Sequence, residues 1–198
     1  MNYYTEYWDS GDEKRNSEVI SCINKNINSG FFKNIFIYSK NIEERINAKT
    51  IPLDRITYQF IFDNNIDGIN ILANSDIEFD ETIKLAENIK EEEFYCLTRY
   101  EDNGLLHKHN DPYLGSDSQD VWIWKNKSKI QESNFFLGVP GCDNKIAYIA
   151  EINGYRVKNP SIDIKTYHRH KTDLRPGSSS NTKIRLMPPY RLVPVSKL

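Results

Sequence analysis

The chain has 198 residues, of which 38% are hydrophobic and 12% aromatic, which is enough for one globular domain over residues 1–198 with a sizeable core. Its 26 basic and 28 acidic residues are mixed along the chain and give a net charge of −2, which argues against nonspecific binding to nucleic acid. Three widely spaced cysteines (Cys22, Cys96 and Cys142) lack the spacing of a zinc site. Because no apolar run is long enough to span a membrane and no signal peptide is visible, we expect a reducing, cytoplasmic location.

The first half of the sequence alternates short apolar runs with helical patterns. We expect strands at 3–7, 35–38, 50–53, 68–73 and 94–98, a helical turn at 42–46, and helices that begin near Ser17, Asp54 and Thr82. Strands and helices that alternate over short connections predict an α/β fold, with a mostly parallel sheet covered on both faces.

The second half opens with a long predicted surface loop at 104–118, which contains His107 and His109. Further strands are expected at 121–124, 135–137, 155–157 and 162–167, with a helix from Asp143 to about Ile152. Residues 175–198 contain four of the eight prolines and predict an irregular tail.

Two carboxylates follow the predicted strand at 68–73. Asp76 and Glu78 are spaced i, i+2, so in an extended segment they share one side and can bind one divalent cation together with water and a diphosphate. The carboxyl ends of strands are where open α/β sheets place their ligands. The alternative is a simple strand end before a helix that is capped by Asp80 and Glu81.

Four later segments recur in a defined order: Gly141-Cys142-Asp143-Asn144, Gly154-Tyr155-Arg156-Val157, Asn159-Pro160-Ser161 and Tyr167-His168-Arg169-His170. Together with Asp76 and Glu78, this order resembles the GT-A glycosyltransferases, which carry a DxD-type motif at the end of a central strand. Residues 73–77, 115–123, 138–144 and 159–165 resemble segments of the small single-domain enzymes of large DNA viruses, of the chlorella-virus kind, and of some bacteria. The resemblance spans residues 3–194 and implies a GT-A fold, with a mostly parallel mixed central sheet flanked by helices.

The resemblance implies a metal-dependent enzyme that moves a sugar from a nucleoside-diphosphate donor, by default a UDP-sugar, to a hydroxyl of a glycan or glycoprotein, with inversion. The cofactor would be Mn²⁺ or Mg²⁺, and the location the host cytoplasm if the protein is viral. Glu78 would be the main metal ligand and His168 the second, with Asp76 on the ribose, the metal or metal-bound water. Glu78 stands where a second Asp is usual, and His170 is an alternative to His168.

An inverting transfer needs one carboxylate to take the proton of the acceptor hydroxyl. The resemblance places Asp143 in that role, although a helix-opening Asp is also an ordinary N-cap. Asp120 is the second candidate and by resemblance lies near the hydroxyls of the donor sugar. Trp122 is either a platform for the sugar or a core residue.

The resemblance also implies which residues would bind the nucleotide-sugar donor, and two of them lie at the start of the helix expected after Asp54. Arg55 would pair with a phosphate and Tyr58 would flank the base; the alternatives are an ordinary salt bridge and a core aromatic. Asp9 and Asn74 are further candidates for nucleotide contacts. Lys171, with Lys165 and Arg175, would offset diphosphate charge, or else belong to a solvated basic face.

Other functions remain open at this point. A nucleotidyltransferase would need an early Gly-rich phosphate loop, which the sequence lacks. A metal-dependent nuclease would need a basic surface. A non-catalytic module that binds a nucleotide sugar or a glycan could keep the same fold.

Overall fold

The computed structural model describes residues 1–41, 43–108, 115–169 and 185–198. Seven strands form the central sheet in the order β3-β2-β1-β4-β7-β6-β8, and β5 pairs with β9 in a second, two-stranded sheet. The strands are β1 (Asn2–Tyr7), β2 (Asn34–Ser39), β3 (Thr50–Pro52), β4 (Ile69–Ala73), β5 (Ile77–Phe79), β6 (Glu93–Leu97), β7 (Val121–Lys125), β8 (Arg156–Lys158) and β9 (Thr166–His168).

The central sheet is mixed and mostly parallel. Its parallel pairs are β3 with β2, β2 with β1, β1 with β4, and β6 with β8, whereas β7 runs antiparallel to both β4 and β6. Helices flank this sheet: α1 (Glu13–Asn28), α2 (Tyr58–Asn64), a 3-10 helix (Glu81–Asn88) and α3 (Cys142–Ile152). The predicted α/β class is therefore confirmed.

Both faces of the sheet are covered, which explains the apolar runs of its central strands. On β7, Trp122 and Trp124 pack into one hydrophobic cluster, and Val121 and Ile123 pack into another on the opposite face. All four side chains are fully buried. The three cysteines are also buried, and each is a free thiol.

Several helix boundaries differ from those expected. Asp12 caps α1 by accepting from the Arg15 N–H, so this helix begins four residues before Ser17. Thr57 rather than Asp54 caps α2. The helix expected from Thr82 is a 3-10 helix that begins at Glu81.

One expected strand is absent, and another is shortened. Residues 135–137 form no strand, because the carbonyl of Phe135 accepts from the N–H of Tyr58 at the start of α2. The strand expected at 162–167 is limited to β9, because the N–H of Ile164 turns back to the carbonyl of Pro160. Within the described ranges, no helix has the length and apolar character required to cross a bilayer.

Candidate active site

A cavity of about 320 Å³ lies at the edge of the sheet where the parallel strands have their carboxyl ends. At this point the strand order reverses: β1 connects toward β2 and β3 on one side, and β4 lies on the other. Such a reversal leaves a crevice in open α/β sheets, and ligands bind there. The polar residues that line it are Glu6, Ser10, Arg15, Arg55, Asn74, Ser75, Asp76, Arg99, Ser118, Gln119, Asp120, Asp143 and His168.

The strand directions explain why residues far apart in sequence meet here. Asn74 and Asp76 follow the end of β4, and Arg99 follows the end of β6. Asp120 precedes β7, but because β7 is antiparallel to its neighbours, its first residue lies at the same edge. Asp143 comes from the first turn of α3. Four separate segments of the chain therefore contribute to one wall.

Three arginines on the cavity wall each pair with a carboxylate on the same wall. The Arg15 guanidinium lies 2.5 Å from Asp76 Oδ2. Arg55 Nε lies 3.2 Å from Glu6 Oε1, and Arg99 Nη1 lies 2.7 Å from Asp120 Oδ2. The first and third pairs are close to fully buried, so much of the charge in this cavity is already balanced by neighbouring charge.

Asp143 differs from these carboxylates, since within the described part of the chain no cationic side chain pairs with it. Its carboxylate accepts backbone N–H groups from Asn144, at 3.0 Å, and from Gln119, at 3.4 Å. Burial, with a smaller contribution from the nearby Asp120 charge, raises the pKa of Asp143 to about 6. A carboxylate with a raised pKa is a better proton acceptor near neutral pH than an ordinary aspartate.

Asp76 and His168 lie side by side on the wall, with 3.1 Å between His168 Nε2 and Asp76 Oδ2. Burial alone would raise the pKa of Asp76, but His168 and Arg15 hold that pKa well below its usual range. Burial likewise opposes the charged form of His168, but the neighbouring carboxylates Asp76 and Asp120 raise its pKa above the ordinary value. The two groups therefore stabilise each other's charged form.

Glu78 does not join this cluster. Asp76 lies in a turn before β5, in which the N–H of Ile77 bonds to the carbonyl of Asn74, so the two carboxylates are not on one extended segment. Glu78 Oε2 instead lies 2.9 Å from both Lys25 Nζ and Arg169 Nε, and Glu78 is not among the cavity-lining residues. Burial opposes ionisation, but these two cations lower the pKa of Glu78.

Two aromatic candidates lie in the core rather than on the wall. Trp122 and Tyr58 are fully buried and pack edge to face with ring centroids 5.0 Å apart. The Tyr58 hydroxyl lies 3.6 Å from the Cys142 sulfur. Neither ring lines the cavity, so in this conformation neither presents a surface to a nucleotide or a sugar.

Some of the remaining donor-side candidates line the cavity and others do not. Arg55 lines the cavity, and its Nη2 also donates to the Leu137 carbonyl at 2.6 Å. Asn74 donates through Nδ2 to Asp120 Oδ1 at 2.7 Å. Asp9 is exposed, lies outside the lining and accepts from the Gly11 N–H. His109, His170, Lys171 and Arg175 lie outside the described residues.

The lining residues that sequence reasoning missed include Trp8, Arg15 and Arg99. Trp8 directly follows β1 and is 38% exposed, so its position at a strand end was a usable signal. Arg15 and Arg99 carried no comparable signal in the sequence, because a charged residue on a helix or in a loop is usually solvated.

A segment distant in sequence holds the wall around Asp143. The N–H of Leu186 bonds to the carbonyl of Pro140, and the N–H of Arg191 bonds to the carbonyl of Asn144, each at 3.0 Å. Val193 makes a third such bond to the carbonyl of Ser116. Residues 186–193 therefore connect the loop before Asp120 to the start of α3.

No family model matches the chain, and no curated protein sequence matches it. Among solved structures, the chain is similar to the apo form of the glycosyltransferase GlyE from Streptococcus pneumoniae TIGR4, with a TM-score of 0.46 and 12% sequence identity. The match covers 91% of this chain and 57% of that protein, so the chain corresponds to little more than half of its length. Similarity at this level does not assign a function.

Proposed function

We propose that the chain is a metal-dependent, inverting GT-A glycosyltransferase that moves a sugar from a nucleoside diphosphate, with UDP favoured, to a hydroxyl of a glycan acceptor. The observation that carries the proposal is the meeting of Asn74, Asp76, Asp120, Asp143 and His168 at one cavity. All five are candidates from the sequence, and they come from four separate segments of the fold.

Asp143 is the proposed general base. Inversion needs a carboxylate that accepts the acceptor proton while the hydroxyl oxygen attacks the anomeric carbon from the face opposite the leaving group. The pKa of Asp143 is raised to about 6, and no cation of the described residues neutralises it. Asp120 is bound by the Arg99 guanidinium and the Asn74 amide, which suits a group that accepts hydrogen bonds from sugar hydroxyls.

The leaving diphosphate develops negative charge that must be stabilised. A bound Mn²⁺ or Mg²⁺ would supply a Lewis acid for that charge. Asp76 and His168 are the side chains that fit this role, and such ions are usually held by one or two carboxylates together with substrate phosphates. Within the described residues no three His, Cys, Asp or Glu side chains form a ready metal site, so a nucleotide would have to complete the coordination.

A thermal-shift panel of nucleoside diphosphates and nucleotide sugars, each with and without Mn²⁺, tests this proposal. A ligand at a hundred times its dissociation constant adds about 2.7 kcal/mol to the free energy of unfolding. We expect one nucleotide to raise the melting temperature only when metal is present. Failure of every nucleotide would contradict the proposal. Binding of a nucleotide sugar without transfer or hydrolysis would favour a non-catalytic module.

A further inference from the structure

His168 has a second carboxylate neighbour that sequence reasoning did not identify. Its Nε2 lies 3.1 Å from Asp76 Oδ2, and its Nδ1 lies 3.6 Å from Glu101 Oε2. The His168 side chain is 12% exposed and the Glu101 side chain 34% exposed. Each ring nitrogen of His168 therefore faces one carboxylate, with the Asp76 side toward the cavity.

Glu101 is itself held by two cationic or polar partners. Its Oε1 lies 2.5 Å from His107 Nδ1 and 3.2 Å from Arg99 Nε. Both partners act on the same oxygen, so the other oxygen, Oε2, is the one directed at His168. The same Arg99 holds Asp120, which ties the orientation of Glu101 to the cavity wall.

The backbone fixes the distance between Glu101 and His168. The N–H of His168 bonds to the carbonyl of Tyr100 at 2.8 Å, and the N–H of Tyr100 bonds to the carbonyl of Thr166 at 2.6 Å. Glu101 also begins a tight turn, in which its N–H bonds to the carbonyl of Leu105. The residue before Glu101 is thus joined directly to β9, the strand that carries His168.

We propose that Glu101 is a positioning residue that accepts a hydrogen bond from His168 Nδ1–H and so keeps Nε2 facing Asp76 and the cavity. The inference rests on the proposed function, in which His168 Nε2 binds the metal. A ligating histidine almost always donates its other ring N–H to a carboxylate, a carbonyl or water, and this second bond fixes the ring and its tautomer. If Glu101 acted only on Arg99 and His107, replacing Glu101 would not change the orientation of the His168 ring.

The matched control is Asp102, the next residue along the same turn. Its carboxylate lies 2.7 Å from Arg169 Nη1. Asp102→Ala removes one carboxylate of this turn and its ion pair with Arg169, whereas Glu101→Ala removes the neighbouring carboxylate and its contacts with Arg99, His107 and His168. Glu101→Gln retains a side-chain oxygen that can accept from Nδ1–H.

The first readout is the ¹H–¹⁵N spectrum of the histidine rings in the free protein at pH 5.5, with the His168 signal assigned by its loss in His168→Gln. We expect a slowly exchanging His168 Nδ1–H signal in the wild type, in Asp102→Ala and in Glu101→Gln. The signal should be lost in Glu101→Ala. Its survival in Glu101→Ala would overturn the inference.

The second readout is the affinity for UDP with Mn²⁺, measured by calorimetry. Loss of the group that hydrogen-bonds to a metal-binding histidine typically weakens metal affinity about 10-fold or more. We expect such a loss in Glu101→Ala, partial recovery in Glu101→Gln and no change in Asp102→Ala. If the ring signal behaves as expected but UDP and Mn²⁺ do not bind the wild type, the proposed function fails while the role of Glu101 stands. Binding that is unchanged in Glu101→Ala contradicts the positioning role.

Discussion

Asp120 and Asp143 line the same cavity but are bound by different kinds of donor. Asp120 accepts from the guanidinium of Arg99 and the side-chain amide of Asn74. Asp143, within the described residues, accepts from backbone N–H groups and has no cationic partner. One carboxylate is therefore held in an ion pair, and the other remains available to accept a proton.

Asp143→Asn should abolish most of the transfer activity while donor binding is retained. Loss of a general base typically costs about 10²–10⁴-fold in rate. Turnover of the nucleotide sugar found in the thermal-shift panel, and its affinity, would be measured in parallel. The exposed Asp54, which pairs with Lys40 on the surface, offers the matched control Asp54→Asn. Unchanged turnover in Asp143→Asn would remove Asp143 as the base.

The wild-type rate should also fall on the acidic side of the pKa of Asp143, which is about 6. The base must be ionised to accept a proton, so kcat/KM should decrease as the pH falls below that value. A pH profile of kcat/KM from pH 5 to 8 measures this limb. A profile that is flat down to pH 5 would contradict the assignment.

The stability of Asp143→Asn should depend on pH in a defined direction. Burial raises the pKa of Asp143 from 3.8 to about 6, so between these values the folded protein binds more protons than the unfolded chain. The charged carboxylate thus destabilises the fold at pH 7.5, and this destabilisation is relieved as the pH falls through about 6.

Urea denaturation at pH 7.5 and pH 4 tests this sign. Asp143→Asn should be more stable than the wild type by about 1–3 kcal/mol at pH 7.5, and the difference should vanish near pH 4. Asp54→Asn is the matched control at an exposed position. A variant that is less stable than the wild type at pH 7.5 would show that hydrogen bonds to the carboxylate outweigh its burial.

Asp76→Asn and Glu78→Gln should affect nucleotide binding differently. Asp76 lines the cavity beside His168, whereas Glu78 pairs with Lys25 and Arg169 outside it. We expect Asp76→Asn to abolish the metal-dependent part of nucleotide affinity and Glu78→Gln to leave it nearly unchanged. Equilibrium binding with and without Mn²⁺ measures both variants.

The Asp76 variant needs its own control for folding. Removing one partner of a buried ion pair costs about 3–5 kcal/mol, so binding by Asp76→Asn should be measured well below its melting temperature. If nucleotide binding by Glu78→Gln no longer depends on Mn²⁺, the metal site involves Glu78 in a conformation other than the one described above.

Trp8 should report on ligand binding through its fluorescence. Of the three tryptophans, Trp122 and Trp124 are fully buried, whereas Trp8 lines the cavity and is 38% exposed. A ligand that contacts the Trp8 ring should change the emission of the wild type. Trp8→Phe should lose this change with little loss of stability, because the residue is not in the core. Persistence of the full change in Trp8→Phe would place the ligand away from this ring.

Most strands of the central sheet were predictable because their signal is local. The apolar run of β4 and the helix at Asp143 both follow from short stretches of sequence, and the structure has both. Pairs such as Arg15 with Asp76, 61 residues apart, could not be predicted in this way. Their meeting depends on the strand order, which places α1 beside the end of β4.

The errors also have physical causes. The i, i+2 spacing of Asp76 and Glu78 implies a shared side only if the chain stays extended, and a turn at Asp76 breaks that condition. Trp122 is a different case, because the sequence allowed both a platform for a sugar and a core residue, and alternation distinguishes the two only in a sheet that is covered on one face. Here both faces are covered, so alternation along β7 does not separate core from surface.

The bonds from residues 186–193 to Pro140, Asn144 and Ser116 support the cavity from a segment that follows every lining residue in the sequence. A ribosome-bound or proteolysed fragment that stops after His168 would contain every candidate carboxylate and histidine named above within the described residues. It would nevertheless lack the backbone bonds that hold the turn before α3 against the loop before β7. A fragment of this kind satisfies a motif search and keeps the contact of Asp143 with the Gln119 N–H, but it lacks the segment that supports both sides of this contact.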